Sequence, residues 1–510
     1  MKKITSIILL VLSTFNCFSQ VDKINAPEII PPSPHVRNFL KYGEIPVSNY
    51  TGVPNINIPI HTIQLKDLTF PISLSYNASG IQVGEEASRV GLGWVLNAGG
   101  MISVTVMGKH HDFTEWAYFN DGRDNLLNDL TGATHLSSFM FTGPKNDPPI
   151  SYALSGMSMD ILYSAIVSDN FGSQCDRGTE LAPDVYNYNF GGYSGKFIFS
   201  HSGKIIKENE DNVLIIPEKV KKYGYDILKS WKCITPDGTI YYFEVTEKTT
   251  YTDRTQVEDY NSCYYLSKIE TVSGSVIDLN YKKSRSYLGR FQKTNDFMFS
   301  RYAYYEVVSL DNISYPGGKI RFDYKYDRED YQPEPRLSAI YVDDETNTNK
   351  SEWIFDYEYF VANKTETDYP TLSEINWHMR KSLYYNDSWN NTFYTESWNK
   401  KRLKLKKITH TNSTGNVSPE VYSLYYNETN IPTKLSASID HWGYYNGALN
   451  KTLVPGYFHD VSQKDGVIDV RHQGRDANRE PNSSYNQALI LKEIVYPTGG
   501  KTKFTYESNQ

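Results

Sequence analysis

No signature of a nucleotide site, a metal centre or an activated nucleophile stands out in this sequence. The Walker and Rossmann glycine patterns, HExxH and histidine pairs four residues apart are all missing, and with them the phosphate cradles and zinc ligands they build. Cysteine is scarce, 4 in 510 residues and never as CxxC, which leaves no thiolate metal-site spacing. Charge of one sign is not concentrated either. Lys and Arg number 52 against 59 Asp and Glu, a net charge of -7 spread along the chain, and this excludes the basic footprint of a nucleic-acid-binding protein. Beyond the first residues no run approaches the roughly 18 apolar residues needed to cross a bilayer as a helix. Methionine is rare, at 8 residues, whereas tyrosine reaches 42. A ring with a polar tip suits a half-buried pleated surface, so this bias favours strands over helices.

What is present begins with a targeting segment. Lys2 and Lys3 precede the apolar run Ile8 to Leu12, and Cys17-Phe18-Ser19 offers small residues at the two positions a signal peptidase reads, which predicts a signal peptide over 1–19 cleaved after Ser19. Lipidation at Cys17 is disfavoured, because Thr14-Phe15-Asn16 places bulk and polarity where small residues are wanted. The mature chain is therefore expected to be secreted or surface-located, without a transmembrane segment. Of its cysteines, Cys175, Cys233 and Cys263, any two could pair, leaving a spare thiol.

A Pro-rich leader arm is expected over 20–40, where Pro27, Pro31, Pro32 and Pro34 deny ladder hydrogen bonds. An N-terminal β module follows over 41–108. Ile56, Ile58 and Ile60 alternate with polar or turn residues, as do Phe70, Ile72, Leu74 and Tyr76, the pattern of half-buried strands. Pro59 and Pro71 predict an edge position or bulges for these strands. In the same module Gly91, Gly93, Gly99 and Gly100 bracket Trp94. Glycine permits close approaches that a Cβ forbids, so the cluster predicts a corner wrapped on a buried indole. Residues 109–183 read as a loop and short-helix insertion, with helix-compatible runs at 125–130 and 158–168. A β-hairpin region follows over 184–300, its turns marked by Gly191-Gly192 and Pro236-Asp237-Gly238.

A shared plan recurs through the second half and dominates the region 301–510. Leu266-x-x-Ile269 leads to Ile277-x-Leu279-x-Tyr281, and Leu310-x-x-Ile313 to Ile320-x-Phe322-x-Tyr324. Leu337-x-x-Ile340 precedes Trp353-x-Phe355-x-Tyr357, and Leu405-x-x-Ile408 precedes Tyr422-x-Leu424-x-Tyr426. Finally Leu491-x-x-Ile494 leads through Pro497-Thr498-Gly499-Gly500 to Thr502-x-Phe504-x-Tyr506. Successive hairpins that each bury one face must stack to share a core, so the expectation is all-β: a multi-hairpin sheet assembly of sandwich or shell type. The last hairpin is expected to expose an edge unless something covers it.

Several of these blocks carry a family resemblance. LKYGEIPVSNYTGVPNINIPIHTI (Leu40 to Ile63), FPISLSYNASGIQV (Phe70 to Val83), VGLGWVLNAGGMISVTVMG (Val90 to Gly108), IDHWGYYNG (Ile439 to Gly447) and LILKEIVYPTGGKTKFTYE (Leu489 to Glu507) resemble the N-terminal region of secreted RHS or YD-repeat proteins of Bacteroidetes-type bacteria. The first three are also similar to the N-terminal domains of toxin-complex and Salmonella virulence-plasmid proteins. The resemblance implies that this region precedes YD repeats winding into a β-shell that can enclose a toxin cargo. It assigns structural rather than catalytic roles to Gly91, Gly93, Trp94, Gly99, Gly100, Pro497, Gly499 and Gly500. No run of YD repeats and no cargo domain follow Tyr506, so shell closure, autoproteolysis and toxicity do not carry over, and the chain is read either as a short family member or as truncated.

Candidate chemistry was weighed against plainer readings. His110-His111-Asp112 with Glu115 is the densest titratable cluster, but adjacent strand residues face opposite ways, so solvated loop residues are expected. Gly192-Tyr193-Ser194-Gly195 falls short of a nucleophile elbow and suits a hairpin turn. Asp440-His441-Trp442 lacks an accompanying serine or cysteine motif and reads as an aromatic-rich loop or a core contact. The expectation is a non-enzymatic structural protein without cofactor or metal, whose partners are a downstream repeat shell or toxin module. A cell-surface glycan- or protein-binding adhesin is the alternative, and a secreted hydrolase stands third.

Overall fold

In the computed structural model the described residues are 29–30, 54, 56–107, 183–200, 203–222, 225–252, 257–293, 298–332, 334–363, 368, 371–376, 394–412, 418–453, 459–464, 467–472 and 477–507. The expected signal peptide, most of the leader arm, the His110–Glu115 cluster, Cys175 and the helix-compatible runs of the insertion lie outside them. The protein is nearly all β, 57% strand and 3% helix. The chain divides into two compact units, Met1–Pro31 with Thr105–Asp184, and Pro32–Val104 with Val185–Gln510. In the first, the two-residue strand β1 (Ile29–Ile30) pairs antiparallel with Val106 and Met107.

The second unit opens with a three-stranded antiparallel sheet, β2 (Ile56–Gln64), β3 (Thr69–Tyr76) and β4 (Trp94–Asn97). β2 alternates buried isoleucines with exposed residues and carries a bulge between Pro59 and His61, as a residue lacking an N–H donor requires. Pro71 sits in the central strand, but β4 pairs only with Ser73–Tyr76, so the missing donor faces no partner. Ser73 and Ser75 are buried although the alternation predicts them outward. The Asn97 amide covers both hydroxyls, at 3.4 and 2.6 Å, which lets the sheet end be packed on two faces.

β5 (Met101–Met107) leaves the glycine cluster and pairs through Met101–Ser103 with Cys263–Tyr265. β6 (Val185–Phe190), β7 (Tyr193–Phe199) and β8 (Ile205–Lys207) form a meander whose turn uses Gly191 and Gly192 at φ 57° and 84°. Tyr186, Phe197 and Phe199 pack on Trp231 with ring centroids 5.3–6.1 Å apart. A continuous antiparallel ladder then runs through β9 (Leu214–Lys222), β10 (Tyr225–Ile234), β11 (Ile240–Thr252), β12 (Val257–Glu270), β13 (Val276–Lys293), β14 (Met298–Tyr315), β15 (Gly318–Lys325), β16 (Arg336–Asp344) and β17 (Asn349–Val361). It continues through β18 (Lys401–Asn412) and β19 (Glu420–Tyr426). The two-stranded excursion β20 (His459–Lys464) and β21 (Val467–His472) intervenes before β22 (Leu491–Val495) and β23 (Lys501–Lys503) close the ladder. Among the described residues the short helices α1 (372–376) and α2 (Glu396–Lys400) are the exceptions, α2 being capped by the Thr395 hydroxyl. Cys233 and Cys263 are free and buried, so no disulfide joins them.

Candidate assembly site

The recurrent hairpins share one register. In each, the isoleucine of Leu-x-x-Ile sits opposite the first residue of the outgoing triplet: Ile269↔Ile277, Ile313↔Ile320, Ile340↔Trp353, Ile408↔Tyr422 and Ile494↔Thr502. Each outgoing tyrosine then sits opposite the leucine that opens the next hairpin: Tyr281↔Leu310, Tyr324↔Leu337, Tyr357↔Leu405 and Tyr426↔Leu491. A register shift lies immediately before the tyrosine every time, at Asn280/Tyr281, Asp323/Tyr324, Asp356/Tyr357 and Tyr425/Tyr426. A bulge adds local twist, and one recurs at each step.

The tyrosine also closes its own hairpin. Pairing between β18 and β19 starts at Lys407↔Ser423 and between β22 and β23 at Glu493↔Lys503, so the leucines two residues earlier lack a ladder partner there. Tyrosine hydroxyls supply the missing donor. Tyr281 Oη donates to Leu266 O at 2.8 Å, Tyr357 to Leu337 O at 2.7 Å, Tyr426 to Leu405 O at 2.7 Å and Tyr506 to Leu491 O at 2.8 Å. Burial pushes the phenols of Tyr281, Tyr357, Tyr426 and Tyr506 above the ordinary value, which keeps them protonated as donors.

The splayed leucine N–H groups are met by one segment, Tyr76 to Gly100. Leu266 N donates to Gly100 O at 2.9 Å, Leu337 N to Arg89 O at 2.8 Å, and Leu491 N to the Tyr76 hydroxyl at 2.8 Å. Leu92 N donates in turn to Leu403 O at 2.8 Å. The segment thus collects three hairpins that are far apart in sequence. Trp94, with no exposed surface, stacks at a tilt on Tyr76 (5.2 Å) and donates its indole N–H to Tyr426 Oη at 2.8 Å. Gly91 must lie against the chain at Leu405, where a Cβ would stand 2.9 Å from the backbone nitrogen. A Cβ on Gly93 would meet the Tyr76 ring at 2.6 Å, and one on Gly100 would meet Phe190 at 2.5 Å. At Gly99 the nearest atoms are 3.5 Å away or more, so that glycine is not required by space.

Between Val83 and Arg89 the segment has no regular structure, yet Val83, Ala87, Ser88 and Arg89 are buried, and their carbonyls need donors. Arg402 Nη2 bonds Val83 O at 2.6 Å, and Arg328 bonds Ala87 O and Ser88 O at 3.1 and 3.3 Å. These cations are balanced locally. Arg328 pairs with Asp330 with both side chains inaccessible, Arg89 with Glu334 at 2.8 Å, and Lys434 with Glu86 at 2.6 Å. Burial alone would raise the Asp330 carboxyl, but Arg328, Lys434 and the Leu403 N–H hold it below the usual range. Arg402 has no carboxylate at ion-pair distance among the described residues, leaves Nε and Nη1 unbonded, and burial lowers it to about 10. A cavity of about 60 Å³ lies between the segment and the hairpins, lined by Arg89, Gly99, Tyr265, Tyr281 and Leu337 among others; that is room for roughly two waters. An outer groove of about 700 Å³ is lined by Lys404, Lys406, Glu358, Glu428 and Glu493, and its lysines pair with its glutamates.

The other residues singled out from sequence fall elsewhere. Gly499 takes φ 82° in the turn between β22 and β23, with nothing within 4 Å of a Cβ position, and Gly500 sits in ordinary contact with Thr498. Pro497 opens that turn, which Gly499 N to Tyr496 O closes at 2.9 Å. β23 has register partners on β22, and both its lysines are exposed. Gly192–Gly195 is a hairpin turn and strand start. Asp440 is buried, and its carboxylate accepts the N–H groups of Trp442 and Tyr444, each at 2.9 Å, while Trp442 is 63% exposed. Among the described residues no His, Cys, Asp and Glu group could hold a metal ion, and no helix is long and apolar enough to cross a membrane. Sequence reading missed Glu86, Arg89, Arg328, Asp330, Arg402 and Lys434. The only local signal is the charged Glu85-Glu86 and Arg89 inside a glycine-rich apolar stretch.

No protein-family model and no curated protein matches the chain. Among solved structures, the toxin-complex assembly TcdB2-TccC3 is similar at 12% identity and a TM-score of 0.31, over 80% of this chain and 18% of that one. A Photorhabdus luminescens Tc holotoxin pore is similar at 10% identity and a TM-score of 0.31, over 74% and 16%. The N-terminal domain of the effector SpvB from Salmonella typhimurium aligns at 10% identity and a TM-score of 0.21, over 74% of this chain and 96% of that domain. The chain thus spans 18% or less of the toxin-complex chains.

Proposed function

We propose that this is an exported, non-enzymatic structural protein that forms or starts a β-shell for surface interaction or toxin delivery. The observation that carries the reading is the tyrosine-to-leucine step, repeated four times at the same bulge, which makes each hairpin the template for the next. Tyr506, held by its own hairpin at Leu491 O, offers that step again at the β23 edge. The partner is accordingly a further Leu-x-x-Ile hairpin of a repeat shell or of the module the shell leads to. Export rests on the N-terminal pattern of Lys2, Lys3 and Ile8 to Leu12, and the delivery role on the sequence resemblance.

The test appends a second copy of residues 489–507 to the chain and follows backbone amide exchange. Protection of the outward amides of 501–506 by about tenfold or more is expected. Unchanged exchange there, in a chain whose other amides are protected as before, would overturn the reading.

A further inference from the structure

The loop Asp440–Tyr445 is built to hold one side chain in water. Its backbone is tied at every turn: Asp440 N to Tyr444 O (2.9 Å), Gly443 N to Asp440 O (3.3 Å), and the Asp440 carboxylate to two N–H groups. The Arg479 guanidinium clamps Asp440 O from behind at 2.6 and 3.1 Å. From the side, Gln82 Nε2 donates to Trp442 O at 2.8 Å, and Val83 N to Gly443 O at 2.9 Å. Gly443 takes φ 93° to make the turn. All of this order serves to present an indole that is 63% exposed and bonds no described residue through its N–H. The exposed His441 ring stands beside it at 87°, with centroids 6.3 Å apart.

We infer that Trp442, with His441, is a binding point for a neutral sugar ring. A pyranose presents a face of C–H bonds rimmed by hydroxyls. The indole offers a flat, electron-rich face to the C–H bonds, and a perpendicular imidazole supplies a donor or acceptor to the rim. The groups that buttress the loop are polar, the Gln82 amide, the Val83 N–H and the Ser79 carbonyl, which suits a hydroxylated ligand better than the apolar ring of contacts that surrounds a protein hot spot. Rigidity matters because the loop loses little freedom on binding. This inference does not depend on the β-shell reading, since none of the loop's bonds given above involves β22, β23 or Tyr506.

The probes are chitotriose, mannotriose, cellotriose and N-acetyllactosamine, titrated to about 50 mM against the full chain with acrylamide quenching of tryptophan as readout. At least one should protect a fraction of the emission with a dissociation constant of about 1–10 mM. Trp442→Ala should abolish that protection with an unchanged melting temperature, and His441→Ala should weaken it severalfold. Absence of protection by all four, or protection that survives Trp442→Ala, overturns the inference. So does Trp442-dependent capture of a protein that excess sugar does not release.

Discussion

The Tyr76–Gly100 segment and the hairpins it gathers are stabilised by opposite means. The hairpins are regular, and each tyrosine does the same task at the same bulge, so a single deletion should be felt within one hairpin. The segment is irregular and makes each of its contacts once: an indole to Tyr426, a carbonyl to Leu337, a buried arginine to Glu334. Damage there removes a partner from several hairpins together. The difference teaches where stability is distributed and where it is concentrated.

The sharpest way to break the comparison is Trp94→Ala. A fully buried indole is lost, and Tyr426 loses one of its two hydrogen-bond partners. The expected cost is about 3–5 kcal/mol, measured by denaturant unfolding. A loss below about 1 kcal/mol would mean the segment is a passenger on a sheet that holds itself together.

Asp330→Asn comes next, at about 1.5–3 kcal/mol, because it weakens charge-assisted bonds from Arg328 and the Leu403 N–H. It also carries a pH signature. The native carboxyl is held below its ordinary value, so below about pH 4 the unfolded chain binds the proton more tightly. Its contribution is complete above the unfolded pKa and fades as pH falls through the native one. The acid limb of stability against pH should therefore be shallower in Asp330→Asn, and a limb identical to that of the parent would place the charge elsewhere.

How much of this could be read beforehand follows from the same contrast. The hairpins were legible because register and burial act through alternation: Leu-x-x-Ile and the aromatic triplet are local patterns, and their turns carry glycine at positive φ. The glycine–tryptophan corner was visible as a cluster, since close approach leaves a mark in composition. Its partners were not. Nothing near Arg328 or Arg402 announces that either will bond a carbonyl more than 200 residues away, because the pairing depends on how the whole ladder curls. Ser73 and Ser75 misled alternation for the same reason, being covered by Asn97 from a strand that arrives later. Trp442 is the converse case, a large aromatic that composition counts as core and the turn geometry turns outward.

Comparing two tyrosines tests whether the segment alters the hairpin plan. Tyr426→Phe removes the donor to Leu405 O and leaves the Trp94 indole N–H without an acceptor, an expected cost of about 1–3 kcal/mol. Tyr506→Phe removes only the donor to Leu491 O from a half-buried ring, and about 0.5–1.5 kcal/mol is expected. Equal costs would show that the indole contact adds nothing to the repeated unit.

The glycines separate requirement from mere presence, and the smallest effects are among them. Gly93→Ala forces a methyl into the Tyr76 ring at a backbone angle of 76°, so it combines overlap with left-handed strain and should cost more than about 2 kcal/mol. Gly499→Ala meets the same angular strain, at 82°, in open space, and about 1 kcal/mol is expected. Gly99→Ala and Gly500→Ala meet neither, since ordinary contacts surround both and neither takes a left-handed angle; changes within about 0.5 kcal/mol are expected. Should Gly99→Ala prove as costly as Gly93→Ala by thermal unfolding, the corner would be closer packed than its 3.5 Å contact to the Tyr281 hydroxyl implies. The contrast between concentrated and distributed stability would then reach into the first hairpin itself.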